Sequence, residues 1–161
     1  MIADEAVAES PLWAEALLDA ADRELVPVFS PLLGDNRCDL GLETIYEGYL
    51  LHYGRARLFA ADGHNALLLG DYLYAHGLVR VAAQENVGAV ADLAALISHC
   101  AQLRADGGPG DGEAWAATAA LLGRGPLRES RERSVLAGMA REVVGADVLD
   151  HALSLHADRV G

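Results

Sequence analysis

The stretch Gly63-His64-Asn65-Ala66-Leu67-Leu68-Leu69-Gly70-Asp71-Tyr72-Leu73-Tyr74-Ala75-His76-Gly77-Leu78-Val79-Arg80-Val81-Ala82-Ala83 decides how the chain is read. Leu67, Leu68, Leu69, Leu73, Leu78 and Val81 make it apolar on nearly all sides, so it is expected to be a buried helix, opened by Asn65. Gly70 and Gly77 fall on one face. A glycine inside a helix costs about 1 kcal/mol against alanine, so two on one face point to a second helix approaching closely. Asp71 is the one acid in the run. It is expected to be a hydrogen-bonded or exposed residue, or a polar group facing a cavity or a partner.

Outward from this run, helical spacing recurs along the whole chain. Residues 1–10 are expected to be frayed or weakly helical. Ser10-Pro11 is a helix start, with Leu12, Ala16 and Leu17 on its apolar side and Pro27 as its stop. A second long helix is expected from about Leu40 to Ala61, carrying Leu42, Ile45, Tyr46, Tyr49, Leu50 and Tyr53 and closed by Asp62-Gly63. Asn86 is expected to cap the helix after Ala83. The segment Ala105–Gly112 holds four glycines and a proline and reads as a flexible loop, with Asp111 capping the helix that follows. Two further helices are expected, around Val135–Val143 and Val148–Leu155. The pattern predicts an all-α, antiparallel helical bundle of about seven helices in a single domain spanning residues 1–161.

Composition narrows the function. The 161 residues carry a formal charge of −12, which argues against nucleic acid and against anionic membrane surfaces as partners. No apolar run reaches the length needed to span a bilayer, so no transmembrane segment is expected. No basic segment opens the chain, so no secretory signal is expected. Cys38 and Cys100 are isolated, and free buried thiols in the cytoplasm are the expectation. The six histidines, at 52, 64, 76, 99, 151 and 156, form no zinc-binding spacing and are expected to be structural or surface residues.

Carboxylates are the more informative titratable groups. Glu43 and Glu47 share one helix face, and Asp147 and Asp150 share another. Such pairs on facing helices can hold Mg²⁺, which in turn holds a diphosphate. On so acidic a chain each pair also reads as a solvated face.

The run Leu69-Gly70-Asp71-Tyr72-Leu73 resembles the Gly-Asp helix of the trans-type polyprenyl diphosphate synthases. Thr118-Ala119-Ala120-Leu121-Leu122 is similar to that family's Lys-Thr-Ala-x-Leu helix, with Ala117 at the lysine position. Ala146-Asp147-Val148-Leu149-Asp150 resembles the second aspartate-rich motif with its first aspartate replaced. Leu96–Leu103 resembles the intervening helix and keeps Gln102 without the partner glutamate. Where the first motif would lie, only Glu43 and Glu47 remain. The resemblance spans roughly Leu40 to Ala152, with shortened loops.

That resemblance implies a reduced isoprenoid-synthase-like fold with its metal-holding acids largely lost. It implies a non-catalytic small subunit of a heteromeric polyprenyl diphosphate synthase, such as those that make hexaprenyl or heptaprenyl diphosphate, with an influence on prenyl chain length. No cofactor is expected on the chain alone; Mg²⁺ would sit in the partner catalytic subunit. Glu43, Glu47, Asp147 and Asp150 would be remnants of the metal sites. Gly70, Asp71, Leu73, Tyr74, Gly77 and Leu78 would form the interface with the catalytic subunit, or with a second copy in a homodimer. Tyr46, Tyr49 and Tyr53 are candidates for the prenyl cavity, though core packing also accounts for them. The alternatives are a helical interaction or regulatory module unrelated to isoprenoids, and a reduced Mg²⁺-dependent enzyme that binds prenyl diphosphates.

Overall fold

The structure is a computed structural model, and it describes residues 2–160. Among the described residues it contains nine α-helices and no strand: α1 (Ile2–Glu9), α2 (Pro11–Ala16), α3 (Asp39–Tyr53), α4 (Gly63–Ala82), α5 (Val87–Asp106), α6 (Asp111–Ala120), α7 (Pro126–Glu129), α8 (Arg133–Val144) and α9 (Ala146–Val160). None of them is long and apolar enough to cross a membrane.

The helix pair α3–α4 is the spine. Gly41 and Gly48 of α3 face Gly77 and Gly70 of α4, so the two helices run antiparallel with matched seven-residue spacings. A Cβ on Gly77 would lie 2.4 Å from Ile45 Cγ1 and 2.8 Å from the Gly41 carbonyl oxygen; one on Gly48 would lie 2.8 Å from the Gly70 carbonyl oxygen. Two backbones this close leave no room for a side chain, which answers why glycine occupies four helix-interior positions despite its entropy cost.

Helix α6 runs through the main core. From Ala114 to Ala120 every residue is buried, and Trp115 fills the centre against Phe29, Tyr46 and Tyr49. A smaller core joins the N-terminal helices to α4 through Ala6, Trp13, Leu58, Phe59, Leu69 and Leu73.

Several expected boundaries move. Residues 2–9 are helical, and Glu5 ties α1 to His76 and Arg80 of α4. Helix α2 is correctly opened by Ser10, whose Oγ accepts from the Leu12 N–H, but it ends at Ala16, well before Pro27. Helix α3 ends at Tyr53, and the following residues up to 61 form a non-helical strap instead of about two more turns. Helix α4 starts at Gly63, ahead of Asn65. Asn86 caps α5 as expected, accepting from the Ala89 N–H at 2.9 Å. Gly110, with φ +113°, sits at the cap position expected for Asp111, and Asp111 opens α6.

Candidate functional site

Glu43 and Glu47 project from successive turns of α3 onto one arginine. Arg57 Nη1 meets Glu43 Oε2 at 2.5 Å, and Arg57 Nε meets Glu47 Oε2 at 3.1 Å. The other oxygen of Glu47 accepts the backbone N–H groups of Arg57 (2.9 Å) and Leu58 (2.8 Å). Glu43 also accepts the Ser30 N–H at 3.2 Å. Glu47 is wholly buried and Arg57 is 4% exposed. Burial opposes the charge on Arg57, but the two carboxylates outweigh it and raise its pKa. The lone pairs a cation would need are therefore already engaged by a guanidinium and three backbone amides.

The second acidic pair stands elsewhere. Asp147 and Asp150 are exposed on the first turns of α9, and Asp150 lies 3.9 Å from Arg141. Among the described residues, no three His, Cys, Asp or Glu side chains gather closely enough to hold a metal ion. Of the four acids read as remnants of metal sites, one pair is bound to Arg57 and the other faces solvent.

The small-residue surface of α4 is also used within the chain. Gly70, Leu73 and Gly77 are buried against α3, Tyr74 stacks on His52 with centroids 5.1 Å apart, and Leu78 packs on the main core. Of the expected interface residues only Asp71 is exposed, with Oδ1 3.0 Å from His52 Nε2. The expected cavity tyrosines are core: Tyr46 and Tyr49 are stacked on each other, 6.0 Å between centroids, and closed off by Trp115. Tyr53 packs beside Tyr49 at the edge.

A polar cluster runs through these aromatics that spacing alone did not reveal. The Asp111 carboxylate accepts from Tyr49 Oη and from Arg104 Nη2, the latter at 2.5 Å. His156 Nε2 faces the same carboxylate at 3.4 Å, and its Nδ1 lies 2.9 Å from Tyr46 Oη. Burial alone would raise the Asp111 pKa, but contacts from His156, Tyr49 and Arg104 outweigh it and hold the carboxyl well below its usual range. Carboxylate, imidazole and phenol together resemble acid–base machinery. Tyr46, Tyr49 and His156 are 0%, 1% and 3% exposed, while Arg104 and Asp111 are half-buried at the edge, and the cluster links α3, α5, α6 and α9 as a cross-brace. Its members lie at positions 46, 49, 104, 111 and 156, and no local pattern joins them.

The strap of residues 55–61 is the feature that the buried acids build. Glu47 fixes it at Arg57 and Leu58. Antiparallel bonds then tie it to the end of α2 and the residues that follow: Leu18 N–H to the Leu58 carbonyl at 2.9 Å, and Ala60 N–H to the Ala16 carbonyl at 2.7 Å. At its start, Arg55 N–H donates to the Arg159 carbonyl at 2.9 Å. Between the strap and the end of α3 opens a cleft of about 410 Å³.

Fold and site together define an all-helical protein whose buried acids are spent on ion pairs and backbone caps. Compared with protein-family models, with curated proteins and with solved structures, the chain has no match.

Proposed function

We propose that the chain is a non-catalytic helical subunit acting through a protein partner, and that the partner is the catalytic subunit of a polyprenyl diphosphate synthase. The observation that carries this reading is the capture of Glu43 and Glu47 by Arg57. Ionising an allylic diphosphate requires cations that stabilise the leaving group's charge, and these acids are not free to hold them. The resemblance at Leu69–Leu73 and Thr118–Leu122 supplies the family; the ion pairs supply the loss of chemistry. Mg²⁺ and turnover then belong to the partner.

The face offered to that partner differs from the one expected. Because Gly70, Leu73 and Gly77 are covered by α3, the available side of α4 is the opposite one, where Leu68 and Val79 are 56% and 65% exposed. Helix α5 also carries an uncharged exposed face, with Val87, which is 81% exposed, and with Ala91, Ala94, Ser98 and Ala101. An uncharged strip on so acidic a protein suits a helix–helix contact. Co-expression with a catalytic subunit and size-exclusion chromatography test this. A stable complex that Val79→Glu abolishes, with helicity unchanged, is expected; no complex counts against the reading.

A second reading, a helical interaction module with no tie to isoprenoids, is favoured by the packed rings of Tyr46, Tyr49, Phe29 and Trp115, which leave no lumen there for a prenyl chain. The same co-expression and size-exclusion experiment with an unrelated helical protein separates the two.

A further inference from the structure

We propose that the cleft beneath the 55–61 strap binds a single-chain amphiphile with an anionic head, a carboxylate or a phosphate, independently of the proposed subunit role. Its volume of about 410 Å³ falls within the range of small-molecule sites. The floor is apolar: Leu50 and Phe59 are buried, and Leu18 and Leu51 close the sides. The strap contributes Ala56, Ala60 and Ala61, small residues that leave the space open where larger ones would fill it.

The mouth carries the charge. Glu24 lines it, held by Arg159 Nη2 at 2.6 Å, while Arg55 reaches Glu24 only at 3.8 Å and keeps a guanidinium that is 64% exposed. Two guanidinium groups against one carboxylate leave an excess positive charge beside an apolar floor, on a protein whose overall charge is −12. An uncharged lipid would leave that cationic rim unanswered, and a free small anion would leave the floor wet. A chain with an anionic head satisfies both.

The walls are held before any ligand arrives. Glu47 and Arg57 fix the strap from below, and the bonds at Leu58 and Ala60 fix it from the side. A preformed cleft spares the ligand the cost of ordering the chain.

Isothermal titration of the full chain with decanoate, decyl phosphate and decanol tests the proposal. Saturable one-to-one binding of decanoate or decyl phosphate is expected, with decanol weaker; the two anions separate a fatty-acid-like from a phospholipid-like or prenyl-phosphate-like ligand. Arg55→Gln, at an exposed side chain, should weaken the anions by roughly two- to fivefold and leave decanol unchanged. Ala60→Phe, also at an exposed position, should abolish binding of all three while circular dichroism shows the fold intact. Absence of binding by both anions, equal binding of decanol, or binding that survives Ala60→Phe would each overturn the assignment.

Discussion

Glu47 and Arg57 form a wholly interior ion pair in which the acid also caps the backbone of its partner, accepting the Arg57 N–H at 2.9 Å and the Arg57 Nε–H at 3.1 Å. A carboxylate used this way is an architectural element. It turns the chain out of α3, holds the strap, and leaves nothing for a cation.

The first prediction follows from that pairing. Glu47→Ala leaves Arg57 Nε and two buried amides without their acceptor, while Glu43 still holds Arg57 Nη1; each buried donor left unmade costs about 1–3 kcal/mol, so a loss of about 3 kcal/mol or more is expected. Asp150→Ala, at an exposed residue 3.9 Å from Arg141, should stay within about 0.5 kcal/mol of the parent. Urea unfolding of both variants measures the contrast. Equal effects would mean that Glu47 is not the clamp.

Magnesium gives a second prediction. With Glu43 and Glu47 occupied, Asp147 and Asp150 exposed, and no cluster of three possible ligands among the described residues, addition of Mg²⁺ is expected to leave the melting temperature where it was. A saturable upward shift, lost in Asp147→Ala, would restore the metal-site reading.

The α3–α4 contact gives a third. Gly77→Ala drives a methyl group into Ile45 and the Gly41 carbonyl, and overpacking of this kind costs about 1–3 kcal/mol, more than the gain in helix propensity returns. Gly138→Ala has nothing within 4 Å of the new methyl group and lies inside α8, so it should stabilise by up to about 1 kcal/mol. Opposite signs in thermal melts are the expected result.

Acid dependence gives a fourth. The Asp111 carboxyl is depressed in the folded state, so the stability it contributes is complete above its unfolded value of about 3.9 and is lost as pH falls toward the folded one. The stability gap between the parent and Asp111→Asn should be constant from neutrality to about pH 5 and shrink below about pH 4. A gap unchanged under acid would place the depression elsewhere.

How far the sequence carried the fold can be read at particular residues. Apolar spacing and the Gly70/Gly77 pair were enough for α4 and its close neighbour, and Asn86 was enough for the start of α5, because those signals are local. The end of α3 was not legible. Residues after Tyr53 keep a helix-compatible composition, and what unwinds them is Glu47, an acid that reads as solvated until Arg57 is seen to bury it. Leu17 fits helical spacing too, but an antiparallel bridge to Phe59 claims it. The site is hidden in the same way: Glu43 and Glu47 are recognisable as a pair from their four-residue spacing, while their partner Arg57 lies beyond a helix end that spacing does not reveal. The Asp111 cluster depends on residues more than a hundred positions apart and left no sequence trace.

The central claim, a non-catalytic subunit that works through a prenyl-chain-building partner, is tested most directly by product analysis. The purified chain, a catalytic polyprenyl diphosphate synthase subunit, and the two together are each supplied with an allylic diphosphate, isopentenyl diphosphate and Mg²⁺, and the prenyl products are sized by chromatography. The account predicts no product from the chain alone and a shifted chain-length distribution when it joins the catalytic subunit. Turnover by the chain alone, or a distribution the chain leaves unaltered, would contradict it.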